Sequence, residues 1–402
     1  MKIQTPSILI ILMLVCAAAG PNLQAVVPPP DGGYPGGNTA EGQKALLSLT
    51  TGGFNTGVGF LSLRTNSTGG FNTAVGAGTL LANTGNNNTA TGAAALLSNT
   101  TGFNNTANGT LALFSNTEGD SNTAYGITAL FANTIGAQNT AVGLGALTHN
   151  TEGGGNTAVG LIALSSNTTG SVNTAVGANA LGSNDGGNQN TAVGQFALGN
   201  NINGTSNIAL GSSAGTGVTT ADNVICIGTP GQNVANSCYI GQIFGVTSSG
   251  GIGVFINADG KLGTATSSRR FKEAISPMDS TSEVLFALKP VAFHYKKEID
   301  PAGLSQFGLV AEEVEKVDPD LVVRDKEGKP YSVRYDQVNA MLLNEFLKEH
   351  RTVQEQGATI TELKNAITSL TAIVKEQAAQ IQKVNARVAT QEVVSQLVVA
   401  GQ

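Results

Sequence analysis

Tryptophan is absent from this 402-residue chain, and only 5% of its residues are aromatic. Charged residues are scarce as well, at 12%, and the basic ones form no cluster beyond pairs such as Arg269 and Arg270. Because nucleic acids and anionic membrane surfaces attract grouped lysines and arginines, neither is indicated as a partner. No run of about 18 apolar residues is present, so no membrane span is expected.

Histidine is equally rare and occurs only at His149, His294 and His350. A metal site needs several ligands in a suitable spacing, so we expect neither a metal nor a cofactor. His294 stands between Phe293 and Tyr295 in an apparent strand, which favours packing over a Ser-His catalytic pair. The glycines follow a repeat and form no phosphate-binding loop.

The distribution of charge divides the chain into two regions. Between Val26 and Thr266 lie 11 charged residues, whereas the last 136 residues, from Ser267 onward, contain 36. We therefore place a domain boundary near residue 266.

The N-terminal residues have the pattern of a secretory signal peptide. Met1 and Lys2 precede an apolar run from Ile8 to Val15, and small residues follow that run. We predict a signal peptide over residues 1–25 and a Pro/Gly-rich linker over residues 26–37. Export by this route indicates a bacterial protein that is secreted or held at the cell surface.

A repeat dominates the middle of the chain. The dipeptide Asn-Thr begins each unit, and the units follow one another at 17 residues, with two spacings of 16. The starting positions are Asn38, Asn55, Asn72, Asn88, Asn105, Asn122, Asn139, Asn156, Asn173 and Asn190, and Asn207 and Asn223 continue the series. A fixed period of this length indicates a solenoid.

Each unit reads as a short strand, Thr-Ala-Val, followed by a glycine turn, an apolar Ala-Leu contact and a second turn. One unit cannot bury its few apolar side chains alone, but stacked units form continuous ladders of Val, Ala, Leu and Asn. We predict a mainly β fold, with a parallel β-solenoid of about 17-residue coils over residues 38–241. Twelve coils at about 4.8 Å each form a rod of about 58 Å. Its narrow interior favours lateral association.

The repeat resembles the head repeats of trimeric autotransporter adhesins over Asn38 to Gly241. This resemblance implies left-handed parallel β-rolls packed three together. Regular threonine ladders leave ice binding as a less favoured alternative, because one threonine per coil is also common on a solvent-facing strand. The Gly-Gly-x-Gly-x-Asp motif of calcium-binding repeats does not occur.

Cys226 and Cys238 stand near the end of the repeats. Aligning Gly228 with Gly241 places Cys226 opposite Tyr239, one residue out of register with Cys238. The two thiols then point to opposite faces of adjacent strands. We expect unpaired, buried structural cysteines.

Residues 242–266 are predicted to be a β connector. Phe244 to Lys261 has the pattern of a hairpin, with Asp259-Gly260 as its turn. The following segment, from Thr264 to Lys272, is polar and by itself indicates only a linker.

The same segment begins an ordered series of motifs. Ser267-Ser268-Arg269-Arg270-Phe271-Lys272 is followed by Leu288-Lys289-Pro290-Val291, by Phe293-His294-Tyr295, by Gly308-Leu309-Val310-Ala311-Glu312-Glu313-Val314, by Pro319 and by Val333-Arg334-Tyr335. In this order the motifs resemble the intramolecular chaperone of the endosialidase family, over residues 267–350. The resemblance predicts a small α+β domain that cleaves its own chain.

The resemblance also implies which residues act. Cleavage falls between Thr266 and Ser267, with Ser267 as the nucleophile and Lys272 as the general base. The family's aspartate after the nucleophile is Ser268 here. This departure puts the rate of cleavage in doubt more than its existence, because nucleophile and base are both present.

The chemistry and the spacing of this pair both impose a condition. Residues five apart lie on opposite faces of a strand and about 140° apart on a helix, so a turn or a neighbouring chain must bring Lys272 to Ser267. The lysine must also be neutral to accept a proton, and burial and like charges favour the neutral form. The unfolded or monomeric chain is therefore expected to be inert.

The C-terminal region, residues 351–402, is predicted to form a coiled coil and tail. Apolar residues follow a heptad pattern from residue 360. Positions a are Ile360, Ile367, Val374, Ile381 and Val388, and positions d are Leu363, Leu370, Gln377, Val384 and Gln391. β-Branched residues at a with Leu at the first two d positions favour two strands, whereas both resemblances imply three, and we expect three because the solenoid needs lateral partners.

Together these patterns predict a secreted homotrimeric fibre or adhesin-like protein. Its C-terminal domain is expected to align three chains, drive the folding of the solenoid and then cut itself free, once per chain, as a Ser-Lys endopeptidase. The alternative is a receptor-binding tail fibre or adhesin that recognises a surface glycan. The repeats contain no aromatic-rich platform for such a ligand.

Overall fold

The computed structural model describes residues 34–399, with side chains up to residue 391. The signal peptide predicted at residues 1–25 lies outside the described residues, as does most of the linker predicted at residues 26–37. The described chain forms two compact units, which meet in sequence between Thr247 and Ser248.

The first unit is a parallel β-solenoid, as the repeat predicts. Thirteen three-residue strands follow one another in chain order in a single sheet, each paired in parallel with the next. They are β1 (Thr39–Glu41), β2 (Thr56–Val58), β3 (Thr73–Val75), β4 (Thr89–Thr91), β5 (Thr106–Asn108), β6 (Thr123–Tyr125), β7 (Thr140–Val142), β8 (Thr157–Val159), β9 (Thr174–Val176), β10 (Thr191–Val193), β11 (Ile208–Leu210), β12 (Ile225–Ile227) and β13 (Cys238–Ile240).

The strands point one residue inward and two outward. In β3 the middle residue, Ala74, is fully buried, while Val75 is 39% exposed. The predicted interior ladder of valines is therefore wrong. Successive side chains of a strand face opposite sides, so the central alanine takes the interior and its two neighbours face outward.

A leucine from each following turn completes the interior. Leu113 and Leu130 are fully buried, and their φ angles of 50° and 52° lie in the left-handed region. This conformation is unfavourable for a residue with a side chain. It recurs from coil to coil because the turn must aim the leucine inward, and burial of the side chain offsets the strain.

The glycine after each strand is required by the stacking of the coils. Gly143 has a φ of 137°, and a Cβ at this position would lie 2.4 Å from the carbonyl oxygen of Gly160 in the next coil. No larger residue fits, so the glycines recur with the coil.

Two ladders of buried asparagines run along the solenoid. The first comprises Asn38, Asn55, Asn72, Asn88, Asn105, Asn122, Asn139, Asn156, Asn173, Asn190 and Asn207, and the second Asn66, Asn83, Asn99, Asn116, Asn133, Asn150, Asn167, Asn184 and Asn201. In the first ladder the backbone N–H of Asn122 donates to Asn105 Oδ1 at 2.9 Å. In the second, Asn133 Nδ2 donates to Asn116 Oδ1 at 2.8 Å. The Gly136 carbonyl accepts from both Asn122 and Asn133 and joins the two ladders.

The 16-residue coil that begins at Asn72 interrupts the second ladder. Asn83 Nδ2 donates to the Gly85 carbonyl and not to Asn66. Among the described residues, Asn66 Oδ1 is the buried side-chain oxygen that has no hydrogen-bond partner. One missing residue therefore removes one hydrogen bond between coils.

The last coils correct the alignment predicted for the end of the repeat. Val224, and not Asn223, occupies the ladder position, because Ile208 pairs with Ile225 and the N–H of Val224 donates to Asn207 Oδ1 at 2.8 Å. The spacing there is thus 17 residues, and the first ladder ends at Asn207.

The two cysteines are unpaired, and their strands have the predicted register. Cys226 pairs with Tyr239 across β12 and β13. Cys226 is buried, and this burial raises the pKa of its thiol. Cys238 is exposed, so the expectation that both cysteines are buried is wrong for it. The reason is its place at the start of β13, where side chains face outward.

The second unit contains three small antiparallel pairs and two helices. The pairs are β14 (Val254–Ile256) with β15 (Leu262–Thr264), β16 (Val291–Phe293) with β17 (Gln306–Gly308), and β18 (Val322–Arg324) with β19 (Pro330–Val333). The helices are α1 (Ala311–Val317) and α2 (Tyr335–Val399). Short 3-10 helices span Arg269–Phe271, Asp279–Ala287 and Pro319–Leu321.

The β14–β15 hairpin has its turn at the predicted place. The N–H groups of Asp259 and Lys261 donate to Asn257 Oδ1, and Gly260 has a φ of 80°. An asparagine that binds the backbone beyond it, followed by a glycine with positive φ, is a common way to reverse a strand.

The core of the second unit is small. Val314, Leu321, Val322, Val333 and Met341 are its buried apolar residues. Beyond this core, α2 presents the apolar residues of its heptads to solvent, including Ile360, Leu363, Ile367 and Leu370. Among the described residues, no helix is both long and apolar enough to cross a membrane.

Candidate functional site

The segment between β15 and the second unit's core holds the pair predicted from the sequence. After Thr264 the chain makes one 3-10 turn over Arg269–Phe271. The N–H of Phe271 donates to the Ser268 carbonyl at 3.0 Å, and the N–H of Lys272 donates to the Arg269 carbonyl at 3.1 Å. This turn reverses the chain directly after Ser267.

The turn brings the two side chains together within one chain. Lys272 Nζ donates to Ser267 Oγ at 3.1 Å. Since five residues in a strand or helix would separate these groups, the 3-10 turn is what makes the contact. A lysine at this distance is in reach of the hydroxyl proton once the amine is neutral.

The surroundings of the pair are open in a single chain. Ser267 and Lys272 are both exposed, as are Arg269 and Arg270. The Arg270 guanidinium lies over the Phe271 ring, 4.6 Å from its centroid, which fixes the middle of the turn. Three cationic side chains therefore lie within four residues of one another in sequence, and the Lys272 amine contacts the Ser267 hydroxyl.

Other residues considered from the sequence take no part in this site. His294 follows β16 and is exposed, so its expected packing role is wrong, because the strand ends at Phe293. Glu312 and Glu313 lie in the first turn of α1, as acids at a helix start do. No group of three or more metal-ligating side chains is present in the described part of the chain.

A second polar cluster joins α2 to the 3-10 helix Asp279–Ala287, and no sequence motif indicated it. Ser282 is fully buried, donates to Glu345 Oε1 and accepts from Asn344 Nδ2 at 2.7 Å. Lys348 Nζ donates to Glu345 Oε1 at 2.8 Å and contacts Glu283 at 3.3 Å. Apart from Glu345 and Lys348, which are three residues apart, these partners are more than 60 residues apart, so no local pattern marks the contact of α2 with this 3-10 helix.

The charges of this cluster support one another. Hydrogen bonds from Lys348 and then Ser282 lower the pKa of Glu345 below its ordinary value of 4.5. The hydrogen bond to Glu345 in turn raises the pKa of Lys348 above 10.5. The cluster fixes the start of α2 against the segment that follows the Ser267–Lys272 turn.

Comparison with known proteins agrees with the resemblance noted in the sequence. Residues 267–323 match the family model described as chaperone of endosialidase. The match begins at Ser267, the residue after the predicted scissile bond. No curated protein and no solved structure matches the chain. A chaperone domain of this self-cleaving family, placed C-terminal to a β-solenoid in the sequence, fits a tail-spike or fibre-like protein.

Proposed function

We propose that this chain is a secreted fibre protein whose C-terminal unit assembles three copies, guides the folding of the solenoid and then cuts itself off between Thr266 and Ser267. The observation that carries the proposal is the hydrogen bond of 3.1 Å between Lys272 Nζ and Ser267 Oγ, at the first residue of the chaperone match. The reaction occurs once per chain and needs no cofactor.

The cut proceeds by attack of a side chain on its own peptide bond. The Ser267 hydroxyl oxygen attacks the Thr266 carbonyl carbon while the neutral Lys272 amine takes the hydroxyl proton. The C–N bond then breaks, the lysine returns the proton to the Ser267 nitrogen, and an ester joins Thr266 to Ser267 Oγ. Water hydrolyses the ester, leaving a Thr266 carboxylate and a free Ser267 amine.

Assembly supplies the condition that the single chain does not meet. Lys272 is exposed in one chain, so its amine is open to water there. Packing three copies around this segment removes that water and brings the cations Arg269 and Arg270 of each copy together. Both effects favour the neutral amine, so cleavage follows assembly.

The long helix provides the means of assembly. Along α2 the a and d residues from Ile360 to Val388 are apolar except Gln377, and the apolar ones are exposed in the single chain. Such a seam is stable only when another helix covers it. We favour three helices over two because the solenoid, with its narrow alanine interior, also gains from lateral partners.

The cut is tested by mass and N-terminal sequence of the purified protein. The wild type should resolve into fragments that end at Thr266 and begin at Ser267, the smaller one holding the last 136 residues of the 402. Ser267→Ala removes the nucleophile and Lys272→Ala the base, so each should leave a full-length chain that still assembles. Lys272→Arg should also stay uncut, because a guanidinium remains charged.

A further variant serves as the matched control at this site. Ser268→Asp restores the family's acid next to the nucleophile and should keep or raise the rate of cleavage. Normal cleavage by Lys272→Ala, or a new N-terminus other than Ser267, would remove the Ser-Lys pair from the proposal.

A further inference from the structure

The outward residues of the solenoid strands form one uncharged face. We define the strand face as the first and third residues of β2 to β13 together with the second residue after each strand. In β8 these are Thr157, Val159 and Leu161. Over the twelve coils concerned, no residue of the strand face is Asp, Glu, Lys, Arg or His.

The charges of the same coils all lie on the other sides of the rod. They are Arg64, Glu118, Asp120, Glu152, Asp185 and Asp222. Each stands in the turns, at least six residues after the preceding strand. Soluble proteins place charge over their water-exposed surface, so a face without charge over the twelve coils from β2 to β13 indicates a surface that does not meet water. In β1, the first strand of the sheet, the outward third residue is the charged Glu41.

The strand face also exposes large apolar side chains. Leu161 is 51% exposed, and Tyr125, Ile127 and Leu144 are exposed to a similar extent. In the later coils the outward strand residues are apolar as well, since β11 has Ile208 and Leu210 at these positions and β12 has Ile225 and Ile227. The polar members of the strand face in these two coils are Ser212 and Thr229, and both are uncharged.

The size of the strand face matches that of a stable interface. A rod of about 58 Å with a face about 13 Å wide presents roughly 750 Å², close to the ~800 Å² that each partner buries in a typical specific complex.

We propose that the strand face is the surface on which copies of this chain pack side by side, coil against equivalent coil. A second copy fits because its own strand face has the same repeat and no charge, so no ion is left unpaired between them. The uncharged side chains of one strand face then pack against those of the neighbouring copies at the level of the same coil. The proposal rests on the assembly put forward above and identifies the part of the solenoid that takes part in it.

Thiol labelling of the full-length assembled protein tests the assignment. Leu161→Cys and Thr169→Cys place a thiol in the same coil, one on the strand face and one at an exposed turn position. With a small maleimide and peptide-resolved mass spectrometry, the thiol at 161 should react at least about tenfold more slowly than that at 169. In denaturant the two rates should become equal.

A charge variant provides the second readout. Leu161→Glu should lower the temperature at which the oligomer dissociates. Thr169→Glu is the matched control, because Glu118 and Glu152 occupy the same turn position in other coils, and it should leave that temperature unchanged.

Light scattering on the same samples separates the two proposals. An oligomer in which positions 161 and 169 react equally fast, or one that tolerates Leu161→Glu as well as Thr169→Glu, would overturn the strand-face proposal while assembly stands. A monomeric wild-type protein would overturn the assembly itself.

Discussion

The two units of the molecule differ in how far their side chains are buried within a single chain. In the solenoid each coil covers the next, so Ala141, Leu147 and Asn150 are fully buried within one chain. In the second unit few residues are buried, and large apolar side chains such as Phe307, 84% exposed, meet solvent. The solenoid completes its interior along its own axis, whereas the second unit leaves such apolar side chains uncovered in the single chain.

This difference indicates that the two units have different roles in folding and assembly. A solenoid gains its stability only after several coils have stacked, because the first coil has no neighbour to bond. In the proposed assembly, the second unit, whose apolar side chains are exposed in the single chain, holds the chains together before that point. The proposed order is therefore assembly first, solenoid second and cleavage last.

The largest effect is expected from breaking the seam of α2. The double variant Ile367→Asp/Leu370→Asp replaces an a and a d residue. Each apolar side chain contributes about 1.5–3 kcal/mol when buried, and a buried carboxylate adds a further penalty. We expect a monomer by light scattering and, with it, an uncut chain by mass.

The control for the seam carries one charge in the same turn. Ser369→Asp lies between the two substituted positions but outside a and d, so it should keep both the oligomer and the cut. If the double variant still assembles and cleaves, the second unit does not depend on covering the exposed a and d residues of α2. The contrast with the solenoid is then smaller than the exposure of these residues indicates.

A smaller effect is expected from the interior of the solenoid. Asn150→Ala removes a hydrogen bond of 2.7 Å to Asn133 and one of 2.9 Å to Gly153, and leaves the Asn167 amide without its Asn150 acceptor. Losing such buried partners costs about 1–3 kcal/mol for each group left unsatisfied. The free energy of unfolding from urea titration should fall by about 3 kcal/mol or more.

Asn66→Ala is the comparison within the same ladder. Asn66 Oδ1 has no partner to lose, and its amide donates to the Gly69 carbonyl. Its effect should be clearly smaller than that of Asn150→Ala. Equal losses at the two positions would mean that the bonds between coils contribute little.

The smallest effect is expected from the Ser282–Glu345–Lys348 cluster and depends on pH. Since the pKa of Glu345 is lowered in the folded unit, its contribution is present above about pH 4.5 and is lost as the pH falls through the lowered value. Since the pKa of Lys348 is raised, its contribution is lost as the pH rises beyond 10.5.

Thermal melts followed by circular dichroism at 222 nm report this change, because α2 dominates the helical signal. Glu345→Gln should flatten the acid side of the profile and leave the cut at Thr266 in place. An unchanged acid side in this variant would assign the pH dependence to other carboxylates.

The sequence predicted the solenoid well because its period repeats so often. Positions of the strands followed from Asn-Thr alone, whereas the direction of the third strand residue did not, since Val and Ala are both apolar. The alignment failed at Asn223, where a second asparagine beside Val224 imitated the repeat. A local pattern cannot show which of two adjacent residues forms the hydrogen bond to the preceding coil.

The candidate site was predicted in part. Ser267 and Lys272 came from the resemblance, and the need for a turn came from their spacing. The 3-10 turn itself, with Arg270 over Phe271, has no marked sequence signal. The contact of Ser282 with Glu345 depends on how α2 packs against the 3-10 helix Asp279–Ala287, which only the tertiary structure shows.

Each asparagine ladder repeats once per coil, so the number of coils determines the length of the rod. Removing a whole coil, such as residues 139–155, joins equivalent asparagines and shortens the rod by about 4.8 Å without changing any type of bond. Removing a single residue instead leaves an orphan oxygen, as the short coil does at Asn66. Duplication or loss of one 17-residue unit therefore lengthens or shortens the rod by one coil. The number of units in the sequence sets the length of the rod.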